Sequence, residues 1–202
     1  MFWDFDGVIK ETIQLKGEVF AELFRDYGQS LMNKIREHHK LHGGISRLEK
    51  IPLYLKWAGL APDSENIRRL SERFSQMVFQ KVVEAPWVPG AKELLHLNPF
   101  QQKPYLVTAT PQPEIELILA ALNLTAAFEG VFGAPVTKTD AIQKVLEVSG
   151  IPKELCLLIG DSLSDRQAAI SMNIPFLLRE HSDNGDIRWG RSTPRIADFL
   201  NL

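Results

Sequence analysis

Three short apolar runs, each ending abruptly at a polar residue, constrain this chain more than any other feature. Phe2-Trp3 runs into Asp4, Tyr105-Leu106-Val107 into Thr108, and Leu157-Leu158-Ile159-Gly160 into Asp161. A fourth run, Pro175-Phe176-Leu177-Leu178, ends at Arg179. Unbroken apolar runs of this length suit strands buried on both faces, as in a parallel sheet. Helical patterns lie between them. Pro113 to Leu122 puts Ile115, Ile118, Leu119 and Leu122 on one face, Thr139 to Val148 does the same with Ile142, Val145 and Leu146, and Ser164 to Met172 is a third. Strand and helix in alternation predict an α/β fold, a Rossmann-like parallel sheet with right-handed crossovers. The first run has only two residues before Asp4, short for a central strand. Either that strand is cut short or the true start of the chain lies upstream.

From about Thr12 to Glu84 the pattern is helical throughout. Phe20, Leu23, Phe24 and Tyr27 mark one amphipathic helix with Gly28 at its end, and Leu31, Ile35, Ile51, Leu55 and Leu60 continue the spacing. Ile67, Leu70, Phe74, Met77 and Val78 mark a longer helix, after which Pro86 and Pro89-Gly90 return the chain to the sheet. The block reads as an all-helical insertion between the first strand and the rest.

Composition narrows the class. At 45% hydrophobic and 24% charged residues the chain is of ordinary globular type. A net charge of −2 gives no field favouring nucleic acid or anionic lipid. No apolar run approaches the ~18 residues of a membrane helix, and the start lacks the basic and apolar regions of a signal peptide. The lone Cys156 sits in an apolar run and reads as a packing residue, so no internal disulfide forms and a cytoplasmic location is expected.

In open parallel sheets, ligands bind outside the carboxyl ends of the strands. Asp4, Asp6, Thr108, Asp161 and Asp165 are expected to gather there. Carboxylates sharing one cleft raise one another's pKa, so a cation must compensate, and oxygen-only ligands point to magnesium. Lys138, just ahead of a helix, supplies a further positive charge. Taken singly, an Asp at a strand end is often only a turn or helix cap, and Asp165 also reads as a first-turn acid.

Together, Asp4-Phe5-Asp6-Gly7-Val8, Thr108, Lys138 and Gly160-Asp161-Ser162-Leu163-Ser164-Asp165 resemble the four signature motifs of the haloacid dehalogenase superfamily. The likeness is to its phosphoglycolate phosphatase and β-phosphoglucomutase-like subgroup. It implies a catalytic α/β core over residues 1–11 and 89–202 and an α-helical cap over 12–88, with the stretch from about Glu180 to Thr193 least accounted for. It also implies roles. Asp4 is the nucleophile that becomes an aspartyl-phosphate, and Asp6 the acid and base. Thr108, with Ala109 beside it, binds the phosphoryl group, and Lys138 neutralises charge on nucleophile and phosphate. Asp4, Asp161, the Asp6 backbone carbonyl and, from behind, Asp165 hold Mg2+. Gly43-Gly44-Ile45-Ser46-Arg47 resembles a cap loop whose arginine reaches the substrate; the alternative is a glycine turn followed by a solvated Arg47.

The implied activity is hydrolysis of a small phosphorylated metabolite, with no nucleic acid, membrane or obligate protein partner. A phosphomutase of the β-phosphoglucomutase type is the alternative, weakened by Gly160-Asp161 where those enzymes carry Glu-Asp and by Lys16 where they carry histidine. A catalytically silent binding module is a third reading. Lys10 and Lys16 are further candidates for the cleft. His38, His39 and His42 lack partners at metal-site spacing, and Trp57 and Trp87 read as packing residues.

Overall fold

The apolar runs become adjacent strands. In the computed structural model, which describes residues 1–185, 187–190 and 192–200, six strands form one sheet. They are β1 (Phe2–Trp3), β2 (Tyr105–Pro111), β3 (Gly130–Ala134), β4 (Leu158–Gly160), β5 (Phe176–Arg179) and β6 (Arg195–Ile196). The order is β3-β2-β1-β4-β5-β6 and every pairing is parallel. β1 is central despite its two residues. Phe2 pairs with both Tyr105 and Leu158, and Trp3 with Leu106 and Ile159. All residues of β1 and β4 are buried, which explains their unbroken apolar runs.

Crossing segments supply the helices. Between β1 and β2 lie α1 (Ile13–Leu23), α2 (Gln29–Leu41), α3 (Arg47–Trp57), α4 (Ser64–Glu84) and α5 (Ala91–Leu97). The sheet is covered further by α6 (Gln112–Ala121), α7 (Lys138–Ser149) and α8 (Leu163–Met172). Phe20, Tyr54, Leu55, Phe74 and Val78 bury the inner faces of α1, α3 and α4 in the same apolar cluster that receives Trp3 and Leu106. Among the described residues, no helix is long and apolar enough to cross a membrane.

Four elements differ from the sequence reading. The helix expected to run to Tyr27 stops at Leu23, because Arg25–Tyr27 tighten into a 3-10 turn before Gly28 at φ 95°. β3, with two glycines in five residues, carried too weak an apolar signal. β6 spans two residues and α5 only seven. Neither is long enough for periodicity to register.

Candidate active site

Asp4 follows the last residue of β1 and Asp161 the last of β4, two neighbouring strands, so the topology itself sets them side by side. Asp165 joins from the first turn of α8. One carboxylate oxygen from each of the three lies within 4.8 Å of the others, and all three side chains are buried. Lys138, the first residue of α7, places Nζ 2.8 Å from Asp4 Oδ2 and 2.5 Å from Asp165 Oδ1. Burial first, then Asp165, Asp161 and Asp6, push the Asp4 carboxyl well above its usual range, while Lys138 opposes them. Asp161 is raised for the same leading reason, although a hydrogen bond from His181 pulls the other way. Burial opposes the charge on Lys138, but Asp165 and Asp4 outweigh it and hold the ammonium protonated.

Three carboxyl groups against one ammonium would, when ionised, carry two excess negative charges in a buried space, which is why burial and mutual repulsion raise Asp4 and Asp161. A divalent cation with oxygen ligands matches that donor set and that charge. Asp165 is the most committed of the three. Its Oδ2 accepts from Ser162 N at 3.1 Å and Ser162 Oγ at 2.5 Å, closing a capping box on α8, and its Oδ1 faces Lys138. Asp165 therefore serves as cap and as anchor for Lys138, which leaves Asp4 and Asp161 the freer to hold a cation.

Asp6 stands apart from this trio. Thr12 Oγ1 donates to its Oδ1 at 2.6 Å, and Lys16 Nζ and Thr110 Oγ1 donate to its Oδ2 at 2.6 and 3.2 Å. Burial raises the Asp6 carboxyl, but Lys16 and the two hydroxyls overcome it and bring it below the usual range. Thr108 is buried and lines, with Lys138, Ala109 and residues 44–46 of the loop before α3, a cleft of ≈ 400 Å³. That loop sits hard against the core. A Cβ on Gly44 would fall 2.0 Å from Ser164 Oγ and 2.2 Å from Ser162 Oγ, so only glycine permits this approach.

Other candidates fall elsewhere. Arg47 is buried, and its guanidinium is taken up by Glu114 of α6, by Ser75 Oγ at 2.7 Å and by the face of Phe74. It is not the solvated arginine that a bare glycine turn would leave, and it lines a small chamber with Asp6, Lys16 and Thr110. Lys10 turns away from the cleft to the Val83 carbonyl at 3.0 Å and the Trp87 ring at 4.5 Å. His38 stacks on His42 and meets the Tyr54 hydroxyl, and Trp57 packs against His38 and Tyr54, so these side chains serve packing. Cys156 is buried in the second apolar cluster.

Residues 180–193 carry no assigned role in the sequence reading, yet His181 and Asn184 of this stretch contact Asp161 in the acidic centre. His181 Nε2 lies 2.9 Å from Asp161 Oδ2, and Asn184 Nδ2 donates to the Asp161 carbonyl at 2.9 Å. Trp189 Nε1 in turn donates to the Asn184 carbonyl at 3.0 Å. Asp186 and Arg191 lie outside the described residues. Single His and Asn residues carry no periodic signal, and only the β5 terminus at Arg179 hinted at a loop on this side.

The fold and the acidic centre define an α/β enzyme whose chemistry sits beyond the carboxyl ends of the strands. The chain belongs to the haloacid dehalogenase-like hydrolase family, whose model matches residues 1–178. Solved structures share its fold at low identity. A protein from Lactobacillus plantarum assigned as a phosphoglycolate phosphatase superposes with a TM-score of 0.75 at 18% identity, covering 98% of this chain and 94% of that one. CbbY from Rhodobacter sphaeroides in complex with phosphate gives 0.76 at 19%, covering 100% and 94%. β-Phosphoglucomutase from Clostridium difficile gives 0.78 at 20%, covering 100% and 91%. Comparison with curated proteins finds no match.

Proposed function

We propose that the chain is a magnesium-dependent phosphatase acting on a small phosphorylated metabolite, with Asp4 as nucleophile. The observation that carries this reading is the buried Asp4 carboxylate set between Lys138 and Asp161 at the carboxyl end of the central strand. Asp4 and Asp161, with the Asp6 backbone carbonyl, are the groups that would hold the cation, which when bound screens the charge between carboxylate and phosphoryl oxygens. Residues 1–11 and 89–202 act as catalytic core and 12–88 as cap. The single buried cysteine suits a cytoplasmic setting.

The steps follow from the side chains. An Asp4 oxygen attacks phosphorus, the bond to the ester oxygen breaks, and the departing oxygen takes a proton from Asp6. Asp6, now a carboxylate, removes a proton from water. The water oxygen attacks the aspartyl-phosphate, the bond between phosphorus and Asp4 breaks, and phosphate leaves. Lys138 stays paired to Asp4 throughout and stabilises charge on the phosphoryl oxygens. Lys16 favours the ionised Asp6 that activates water in the second half, so the proton Asp6 gives to the departing oxygen is taken up from solvent when substrate binds beside it.

The phosphomutase alternative is disfavoured by Gly160. A Cβ there would lie 2.3 Å from both Cβ and Cγ of Asp165, leaving no room for a glutamate without displacing that cap. The test is phosphate release from p-nitrophenyl phosphate with and without magnesium, in wild type and Asp4→Asn. Magnesium-dependent release, abolished by the substitution while the fold is retained, is expected. Turnover above a few per cent in Asp4→Asn removes Asp4 as nucleophile, and absence of any release from wild type favours a silent binding module.

A further inference from the structure

The loop after β5 fixes one oxygen of Asp161 and does so through a chain of side-chain bonds. His181 Nε2 lies 2.9 Å from Asp161 Oδ2. On another side the Gly7 backbone comes so close that a Cβ there would fall 2.3 Å from the same oxygen. The imidazole is itself held. Its backbone N–H donates to Asn184 Oδ1 at 2.9 Å, and Asn184 Nδ2 donates to the Asp161 and Arg179 carbonyls at 2.9 and 2.8 Å. Asp183 N donates to His181 Nδ1 at 3.2 Å, while the Asp183 carboxylate stays 3.8 Å away, outside hydrogen-bond reach. A ring nitrogen that accepts an N–H carries a lone pair, so this contact assigns the imidazole proton to Nε2. Nε2–H therefore donates to Asp161 Oδ2 and has no lone pair to offer a metal. His181 also lies beyond residue 178, where the match to the family model ends, so family membership does not account for it.

We propose that His181 is a positioning residue that makes Asp161 a one-oxygen ligand and thereby sets the centre against calcium. The inference rests on the reading of Asp161 as a cation ligand and adds what controls its geometry. With Oδ2 held by His181 and walled by Gly7, only Oδ1 is left for a cation. Magnesium demands near-octahedral geometry, which one oxygen from each carboxylate suits. Calcium takes about six to eight oxygens and gains from carboxylates that bind through both. A donor fixed on the second oxygen denies calcium that mode and costs magnesium nothing. The same bond orients the carboxylate before a cation arrives, so less ordering remains at binding. A leucine at 181 would leave the carboxylate free to turn and to present both oxygens. Glutamine would preserve the effect, because its amide N–H stands about where the imidazole Nε2–H does.

The test is calorimetric and needs no turnover. Chelator-treated protein is titrated with magnesium chloride and with calcium chloride, and the ratio of the two dissociation constants is read. Wild type is expected to prefer magnesium. His181→Leu is expected to bind magnesium about tenfold more weakly and to lose most of the preference, while His181→Gln stays within about twofold of wild type in both. General loosening of the fold would weaken both cations alike and leave the ratio unmoved, so the ratio separates positioning from mere support. Equal affinities in wild type, a reading that requires no variant, overturn the role of His181 while leaving the cation site standing. A wild-type ratio retained in His181→Leu does the same, as does a His181→Gln variant that has lost the preference. Failure of wild type to bind either cation overturns the reading of Asp161 as a ligand and this inference with it.

Discussion

At Lys50 a buried amine makes stability depend on pH. Its ammonium faces His39 from α2, Lys16 and Phe20 from α1, and feels Asp6, Asp161 and Glu49 only at longer range. Its pKa falls from the ordinary lysine value of 10.5 in an unfolded chain to about 7 in the folded one. Between those values the unfolded state binds the extra proton, so this residue makes stability rise as pH increases from about 7 toward 10.5. Lys50→Met keeps the bulk, removes the charge and abolishes that contribution. The variant should melt a few degrees higher than wild type at pH near 7, on a scale of roughly 2–4 °C per kcal/mol, with the gap narrowing toward pH 9. Thermal unfolding at several pH values checks this, and a variant that melts lower at neutral pH contradicts it. Lys50 was invisible in the sequence because its partners come from positions 16, 20 and 39, and by itself it is one more helix lysine. Asp4, Thr108 and Asp161 were legible because each ends an apolar run. Lys138 was legible because it begins a helix, with Thr137 as the side-chain cap.

Between elements, the tie that matters most joins α3 to α6. Arg47 and Glu114 are both buried, and Glu114 Oε2 has no hydrogen-bond partner among the described residues. Removing one partner strands the other charge. Arg47→Leu is therefore expected to destabilise the chain by about 3–5 kcal/mol, whereas Arg47→Leu with Glu114→Leu should return close to wild type. Denaturant unfolding of the two variants measures the difference, and comparable losses in both would remove the pair as the explanation. The sequence offered Arg47 as a substrate contact because its loop pattern was readable while Glu114, 67 residues away, was not. The same limit of reach explains the elements that were missed. α7 and α8 declared themselves through local spacing, to within a residue of their observed starts. β3 and β6 became strands through pairing with β2 and β5, contacts that no local pattern encodes.

For the whole molecule, the strand order decides where charge accumulates. Placing β1 between β2 and β4 brings Asp4 next to Asp161, and α7, in the connection from β3 to β4, delivers Lys138 to the same end. The fold thus assembles three buried carboxyl groups around one lysine, an arrangement whose full ionisation needs a further cation. An unfolded chain has no such cluster, so a dication binds the native state and shifts unfolding by mass action. With magnesium at 100 times its dissociation constant the gain is about 2.7 kcal/mol, or a rise of roughly 5–10 °C in melting temperature. Asp161→Asn removes one unit of that negative charge and one ligand oxygen. It should melt closer to magnesium-loaded wild type than metal-free wild type does, since less repulsion remains, and should gain little from added magnesium. Thermal scans of both proteins in chelator and in magnesium separate these outcomes. A wild type that ignores magnesium, or an Asp161→Asn variant that responds as fully as wild type, would mean that the cluster is balanced from within the protein.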